Sequence, residues 1–205
     1  MTPEIWSAEA VGGSSRINGM LLTRGPPGGY VSWAEDLGLQ EWGWEKVEGY
    51  FKRSENAVGR PGREKYRGYT GPVESRPARY EYGTVKPFKE ASRAVGLPVE
   101  PDMNDPAASA QGCFDLDQTI DGKGNRLSAY RAWLNARIAN ERKGWLTVCT
   151  GSVASRLVLN EEANRVSGVR IQARDEPGKE YEVKARREVI VCSGALCTPQ
   201  LLMLR

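Results

Sequence analysis

Between Val11 and Met20 the sequence reads VGGSSRINGM: two adjacent glycines, two serines and an Asn-Gly pair, bracketed by the apolar Val11, Ile17 and Met20. Glycine lets a ligand approach the main chain, and exposed N–H groups bind anionic or acceptor atoms, so the spacing suits a backbone-lined ligand loop. Two other readings fit the same residues. Gly-Gly-Ser-Ser is the composition of a flexible linker, and Asn-Gly favours a type I′ hairpin turn. The linker reading conflicts with apolar neighbours that continue into LLTRG, and the turn reading with flanks that do not alternate. Residue types alone leave all three open.

A second stretch has chemistry in its geometry. EVIVCSG is nearly all apolar, as a strand buried on both faces is, and it runs into GALCTPQLLML, with the small residues Gly194 and Ala195 and a Thr198-Pro199 pair at a helix start. A strand, a tight small-residue turn and a helix bring a helix N-terminus up to a phosphate in doubly wound folds. An ordinary strand-to-helix crossover has the same pattern.

The elements that must hold these loops are legible in outline. With 205 residues, 40% hydrophobic and 27% charged, the chain has the composition of a globular protein with a core. GPPGGY (25–30) reads as a turn, followed by short helices around Ser32 to Asp36 and Glu45 to Ser54, with Trp33, Leu37, Trp42, Val47, Tyr50 and Phe51 placed so that aromatic faces are buried. From Asn56 to Arg79 glycine, proline and charge predict a long surface excursion with one short strand in GPVESR. TVKPFKEASRAVGLP predicts an amphipathic helix from Pro87, packed through Phe88, Ala91 and Val95. CFDLDQTI predicts a strand, DGKGN a turn, and RLSAYRAWLNARIAN one continuous helix with Leu127, Tyr130, Leu134 and Ile138 on one face. WLTVCTG, VASRLVLN, RVSGVRIQAR and YEVKARREVIVCSG, separated by EEAN and DEPGKE, predict a strand leading into an antiparallel meander.

Composition also argues against several functions. Lys+Arg 29 against Asp+Glu 26 gives +3, and the one basic cluster, GRPGREKYRGY, reads as a solvated loop, which speaks against nucleic acid as a partner. Cys113, Cys149, Cys192 and Cys197 are widely spaced in a chain without histidine, so no metal site is expected, and Cys149 and Cys192 read as buried apolar thiols. The first residues lack the basic and apolar regions of a secretory leader, and the longest apolar stretch is broken by Pro199, so no membrane partner is expected.

Taken together, VGGSSRINGM, GYVSWA, GWEKVEGYFKRSE, TGPVESR, CTGSVASRL and REVIVCSGALCTPQLLML occur in an order and spacing that resemble the glucose-methanol-choline (GMC) oxidoreductases. The resemblance covers about Val11 to Leu204. It implies an α/β fold with an α+β part: an incomplete Rossmann-like FAD-binding domain plus part of an antiparallel-sheet substrate domain. Residues 1–75 and 143–205 would belong to the former and 76–142 to the latter. The cofactor implied is FAD, with Gly12, Gly13 and Ser14 bringing amides to it and Asn18, Gly19 and Met20 lining the isoalloxazine ring. Ala154 would meet adenine through its backbone, and Gly194 and Ala195 would form the second signature's turn. The implied reaction is hydride transfer from a small-molecule alcohol to flavin. Three departures stand out: no Gly-x-Gly-x-x-Gly turn precedes Val11, SAEA replaces the family's basic residues before the double glycine, and the late histidine that serves as catalytic base has no counterpart. No residue of this chain is therefore assigned a catalytic role. The resemblance implies an internal piece of an alcohol-oxidising flavoprotein; a shortened non-catalytic binding module and a non-folding gene fragment are the competing readings.

Overall fold

The computed structural model describes residues 7–78, 81–160 and 162–204. The leader expectation therefore falls largely on Met1–Trp6, outside the described residues, as do Arg79 of the expected excursion and Glu161 of the EEAN turn. The chain forms two compact units, Met1–Gly144 and Trp145–Arg205.

The first unit opens with a 3-10 turn, Gly13–Arg16, and the two-residue strand β1 (Leu21–Leu22). Helix α1 (Pro27–Glu35) starts inside GPPGGY rather than after it. Pro26 is extended, which a residue before proline prefers, and Pro27 sits where a missing N–H costs the helix nothing. A 3-10 turn, Gln40–Trp42, leads to α2 (Trp44–Ser54), close to the span expected from its apolar spacing. The tryptophans do gather, with ring centroids of Tyr30, Trp33, Trp42, Trp44 and Phe51 at 5.4–6.2 Å from their neighbours. They do so at the surface: Trp33 is 44% and Trp42 54% exposed, against the expected burial.

Strands β2 (Glu55–Ala57) and β3 (Val73–Pro77) pair in parallel across the expected excursion. Helix α3 (Val85–Ala94) begins two residues before Pro87. Its expected packing face is reversed: Phe88, Ala91 and Val95 are exposed and Ser92 is buried. Strand β4 (Val99–Glu100) pairs in parallel with β5 (Cys113–Phe114), whereas β6 (Asp117–Gln118) pairs antiparallel with both β1 and β3. The single strand expected over CFDLDQTI is thus two, because its halves serve different sheets, one of them ordered β1-β6-β3-β2.

The long helix expected over RLSAYRAWLNARIAN is also two, α4 (Ala129–Trp133) and α5 (Ala136–Glu141). Leu134 leaves the helical region, and Asn135 caps the new helix by accepting the Ile138 N–H at 3.2 Å. An asparagine side chain that satisfies an orphan donor favours a restart over continuation.

The second unit is the expected meander. Strand β7 (Ser152–Asn160) pairs with β8 (Arg165–Ala173), which pairs with β9 (Glu180–Lys184), all antiparallel. Helix α6 (Gly194–Met203) packs on β7, and among the described residues of this unit Leu157 and Leu201 are the large apolar side chains that are buried. Neither WLTVCTG nor EVIVCSG is a strand, and Ile190 is 76% exposed. A strand exists through its ladder, and among the described residues neither segment has a pairing partner. Cys149 and Cys192 are exposed rather than buried for the same reason; Cys197 is exposed, Cys113 half-buried, and all four are free.

Candidate functional site

The Val11–Met20 segment is neither a linker nor a hairpin. Gly12, at φ +100°, turns the chain into the 3-10 turn, and Gly13 N–H donates to the Ala10 carbonyl at 2.8 Å. The Ser14 carbonyl accepts from Ile17 and Asn18 at 3.1 and 2.9 Å. Asn18 and Gly19 are not in the left-handed region a type I′ turn requires, and β1 beyond them pairs with distant β6. Instead the Asn18 side chain accepts the Met20 N–H at 3.1 Å and holds Met20 at φ +63°.

The loop leans on residues 119–130. Thr119 donates to the Met20 carbonyl from its N–H at 2.7 Å and from its hydroxyl at 3.2 Å. Ser15 Oγ donates to the Gly12 carbonyl and accepts the Ala129 N–H at 2.9 Å. The Arg16 guanidinium lies over the Tyr130 ring, 5.8 Å from its centroid.

The loop glycines divide by what surrounds them. A Cβ on Gly12 would lie 3.0 Å from Tyr130 Cβ and from its backbone nitrogen. Gly13, at φ +54°, and Gly19 have nothing within 4 Å of such a Cβ. The amides of Ser14 and Gly19 donate to no acceptor among the described residues. The loop therefore offers open main chain with free N–H donors, the surface that a planar, acceptor-rich group requires, and its residues fit the flavin implied by the resemblance.

In the second unit Ala154 is exposed on β7, opposite Ile171, where the ladder slips before Arg156. Ser155, the extra residue, donates its hydroxyl to the Arg170 carbonyl at 3.2 Å. Gly194 heads α6 at φ +87° with open space where a Cβ would sit, and Ala195 follows it exposed. No side chain caps this helix, so its first N–H groups lack a capping partner. Pro199, expected at the helix start, lies inside α6, which begins more than a turn earlier at Gly194.

Beneath β2, β3 and β6 lies a feature that residue types did not reveal. Arg67, in the basic cluster read as a solvated loop, has a fully buried side chain that pairs with Glu55 at 2.8 Å, Asp102 at 2.9 Å and Asp117. Arg24 pairs with the same Glu55, and Arg60 reaches Asp117 at 2.9 Å. Three guanidinium groups thus face three carboxylates, which neutralises the cluster and lets it be buried. Burial pulls Arg24 below the ordinary arginine range, against the opposing charge of Glu55. Asn104 ties the network to the chain just before α1, accepting the Arg24 N–H at 2.9 Å and donating to the Leu22 carbonyl at 3.0 Å. The only signal in the sequence was arginine between Tyr66 and Gly68; nothing nearby marks its partners, which come from β2, β6 and the turn after β4.

Among the described residues no group of three or more His, Cys, Asp or Glu side chains could hold a metal ion. No helix among them is long and apolar enough to cross a membrane.

The family described as GMC oxidoreductase matches residues 2–204. The chain is 37% identical over 196 residues to an oxygen-dependent choline dehydrogenase of Staphylococcus xylosus, covering 96% of this chain and 33% of that protein. It is 34% identical over 200 residues to the corresponding protein of Chromohalobacter salexigens, covering 97% and 34%. The chain thus spans about a third of the length of the curated relatives it matches. Among solved structures, pyridoxine 4-oxidase from Mesorbium loti superposes with a TM-score of 0.82 at 29% identity, over 96% of this chain and 36% of that one. An FAD-dependent oxidoreductase from Chaetomium thermophilum gives 0.82 at 28% identity, over 96% and 34%. The mixed α/β fold is that of these neighbours, and the chain belongs to the GMC oxidoreductase family.

Proposed function

We propose that this chain carries the flavin-facing loops of an FAD-dependent oxidoreductase acting on the CH–OH group of a small alcohol. The observation that carries this reading is the open main chain of Gly13 and Gly19, with amides of Ser14 and Gly19 that have no partner among the described residues, in a loop held from behind. In this reading Gly12 sets the loop's entry, Gly13 and Ser14 present amides, and Asn18, Gly19 and Met20 line the ring. Ala154 meets adenine through its backbone, so a side chain as small as alanine suffices there. Gly194 and Ala195 leave the N-terminus of α6 clear for an anionic group. Residues 1–75 and 143–205 serve the FAD domain and 76–142 the substrate domain.

FAD, when bound, supplies the acceptor for the hydride leaving the alcohol's carbinol carbon. The hydroxyl proton must go to a base, and this chain has no histidine to receive it. Binding and turnover are therefore separable here. The test is FAD titration of the chain, followed by anaerobic incubation with choline and primary alcohols while flavin absorbance is recorded. Saturable FAD binding without bleaching is expected. Absence of FAD binding would remove the cofactor assignment, and bleaching would place a working base within this chain.

A further inference from the structure

The turn DGKGN and the arginine after it have no part in the reading above, yet the structure builds a device from them. Asp121 Oδ1 accepts the N–H groups of Lys123 and Asn125 at 2.9 and 2.8 Å, and Asp121 N–H donates to the Asn125 carbonyl at 2.9 Å. The closed turn sets Arg126 opposite Ile120, and Arg131 Nη1 donates to the Arg126 carbonyl at 3.1 Å. Half-buried, Arg126 then extends one nitrogen, Nη1, into the back of the Val11–Met20 loop. That nitrogen donates to the Asn18 carbonyl at 2.6 Å, to Asn18 Oδ1 at 2.8 Å and to the Ser15 carbonyl at 3.4 Å.

These contacts fix more than Asn18. Oδ1 also accepts the Met20 N–H, so two donors converge on it and determine which way the amide faces. Met20 is a non-glycine residue at φ +63°, a conformation with an intrinsic cost that persists only where its surroundings enforce it. Asn18 holds Met20 from one side and Thr119 from the other, and Arg126 holds Asn18. Gly19, with its free amide, lies between the two anchored residues.

We infer that Arg126 is a positioning residue: its guanidinium sets the Asn18–Met20 backbone in the conformation that receives FAD. This rests on the cofactor reading for its purpose but not for its geometry. Because one nitrogen makes every contact, a lysine ammonium with three donors can replace it, whereas a methionine of similar length cannot.

The experiment compares the wild-type chain with Arg126→Met and Arg126→Lys by amide hydrogen exchange and by FAD titration read through the circular dichroism of bound flavin. In Arg126→Met, exchange at Asn18 and Met20, whose amides are hydrogen-bonded, is expected to accelerate about tenfold, the scale of a lost charged hydrogen bond, while Ala57 and Val169 exchange as in wild type. FAD affinity falls by a similar factor and the flavin dichroism changes shape; Arg126→Lys restores both. Unchanged exchange at Met20 in Arg126→Met overturns the inference. So does acceleration throughout the first unit that lysine does not reverse, which is the mark of a general stabilising role. If no variant, wild type included, binds FAD, but exchange changes locally and lysine restores it, the brace stands and the cofactor reading falls.

Discussion

Gly12 and Gly13 are adjacent and both lie at positive φ, yet alanine should affect them through different causes. At Gly12, φ +100° costs any L-residue about 1–3 kcal/mol. The new Cβ also meets Tyr130 Cβ and backbone nitrogen at 3.0 Å, an overpacking worth about 1–3 kcal/mol where backbone must move. Gly12→Ala should therefore destabilise the first unit by about 2–6 kcal/mol. At Gly13, φ +54° lies in the ordinary left-handed region and no atom comes within 4 Å, so Gly13→Ala should cost about 1 kcal/mol. The ligand reverses this order. Gly13→Ala should lose the stabilisation that added FAD gives wild type, which follows affinity by mass action. Urea unfolding followed by tryptophan fluorescence, with and without FAD, measures both quantities. If Gly12→Ala shifts the midpoint no more than Gly13→Ala at equal slope, the packing of Gly12 on Tyr130 is wrong. If Gly13→Ala keeps the full FAD effect, Gly13 does not face the cofactor.

Further predictions concern the buried network and the thiols. Arg67→Met should destabilise the first unit by about 3–5 kcal/mol, because it leaves Glu55, Asp102 and Asp117 facing only Arg24 and Arg60; a loss below about 1 kcal/mol in urea unfolding would contradict the network. Burial, with Asp105 and Asp102 adding to it, pushes the Tyr66 phenol up to about 12. An unfolded tyrosine ionises near 10, so the unfolded chain loses its proton first and stability falls as pH rises from about 10 to about 12. Phenolate absorbance in Tyr66→Phe should lack the latest-titrating component. A disulfide-exchange reagent should label Cys149, Cys192 and Cys197 quickly and the half-buried Cys113 slowly; four equal rates would contradict the placement.

The sequence was most legible where structure is local. The α2 helix and the three strands of the meander were readable from spacing, because short-range periodicity and turn chemistry determine them. It was least legible where a residue's fate depends on distant partners. Arg67 looks like a solvated cation until Glu55, Asp102 and Asp117 are brought around it. EVIVCSG is a convincing strand by composition, but composition cannot supply the neighbour whose carbonyls and amides it must pair with. At the site, the motif located the loop, whereas Arg126 lies more than a hundred residues away and no spacing rule connects it to Asn18.

If the Val11–Met20 loop receives FAD, amide-resolved NMR of the chain titrated with FAD to millimolar concentration will register it, because this measurement detects weak as well as tight binding. Saturable shifts are expected at Gly13, Ser14, Asn18, Gly19 and Met20, joined by Ala154, Gly194 and Ala195, with Ala57 in the buried sheet unmoved. Spectra in which these loop amides stay in place, or move no more than those of Ala57, would contradict FAD binding by this loop.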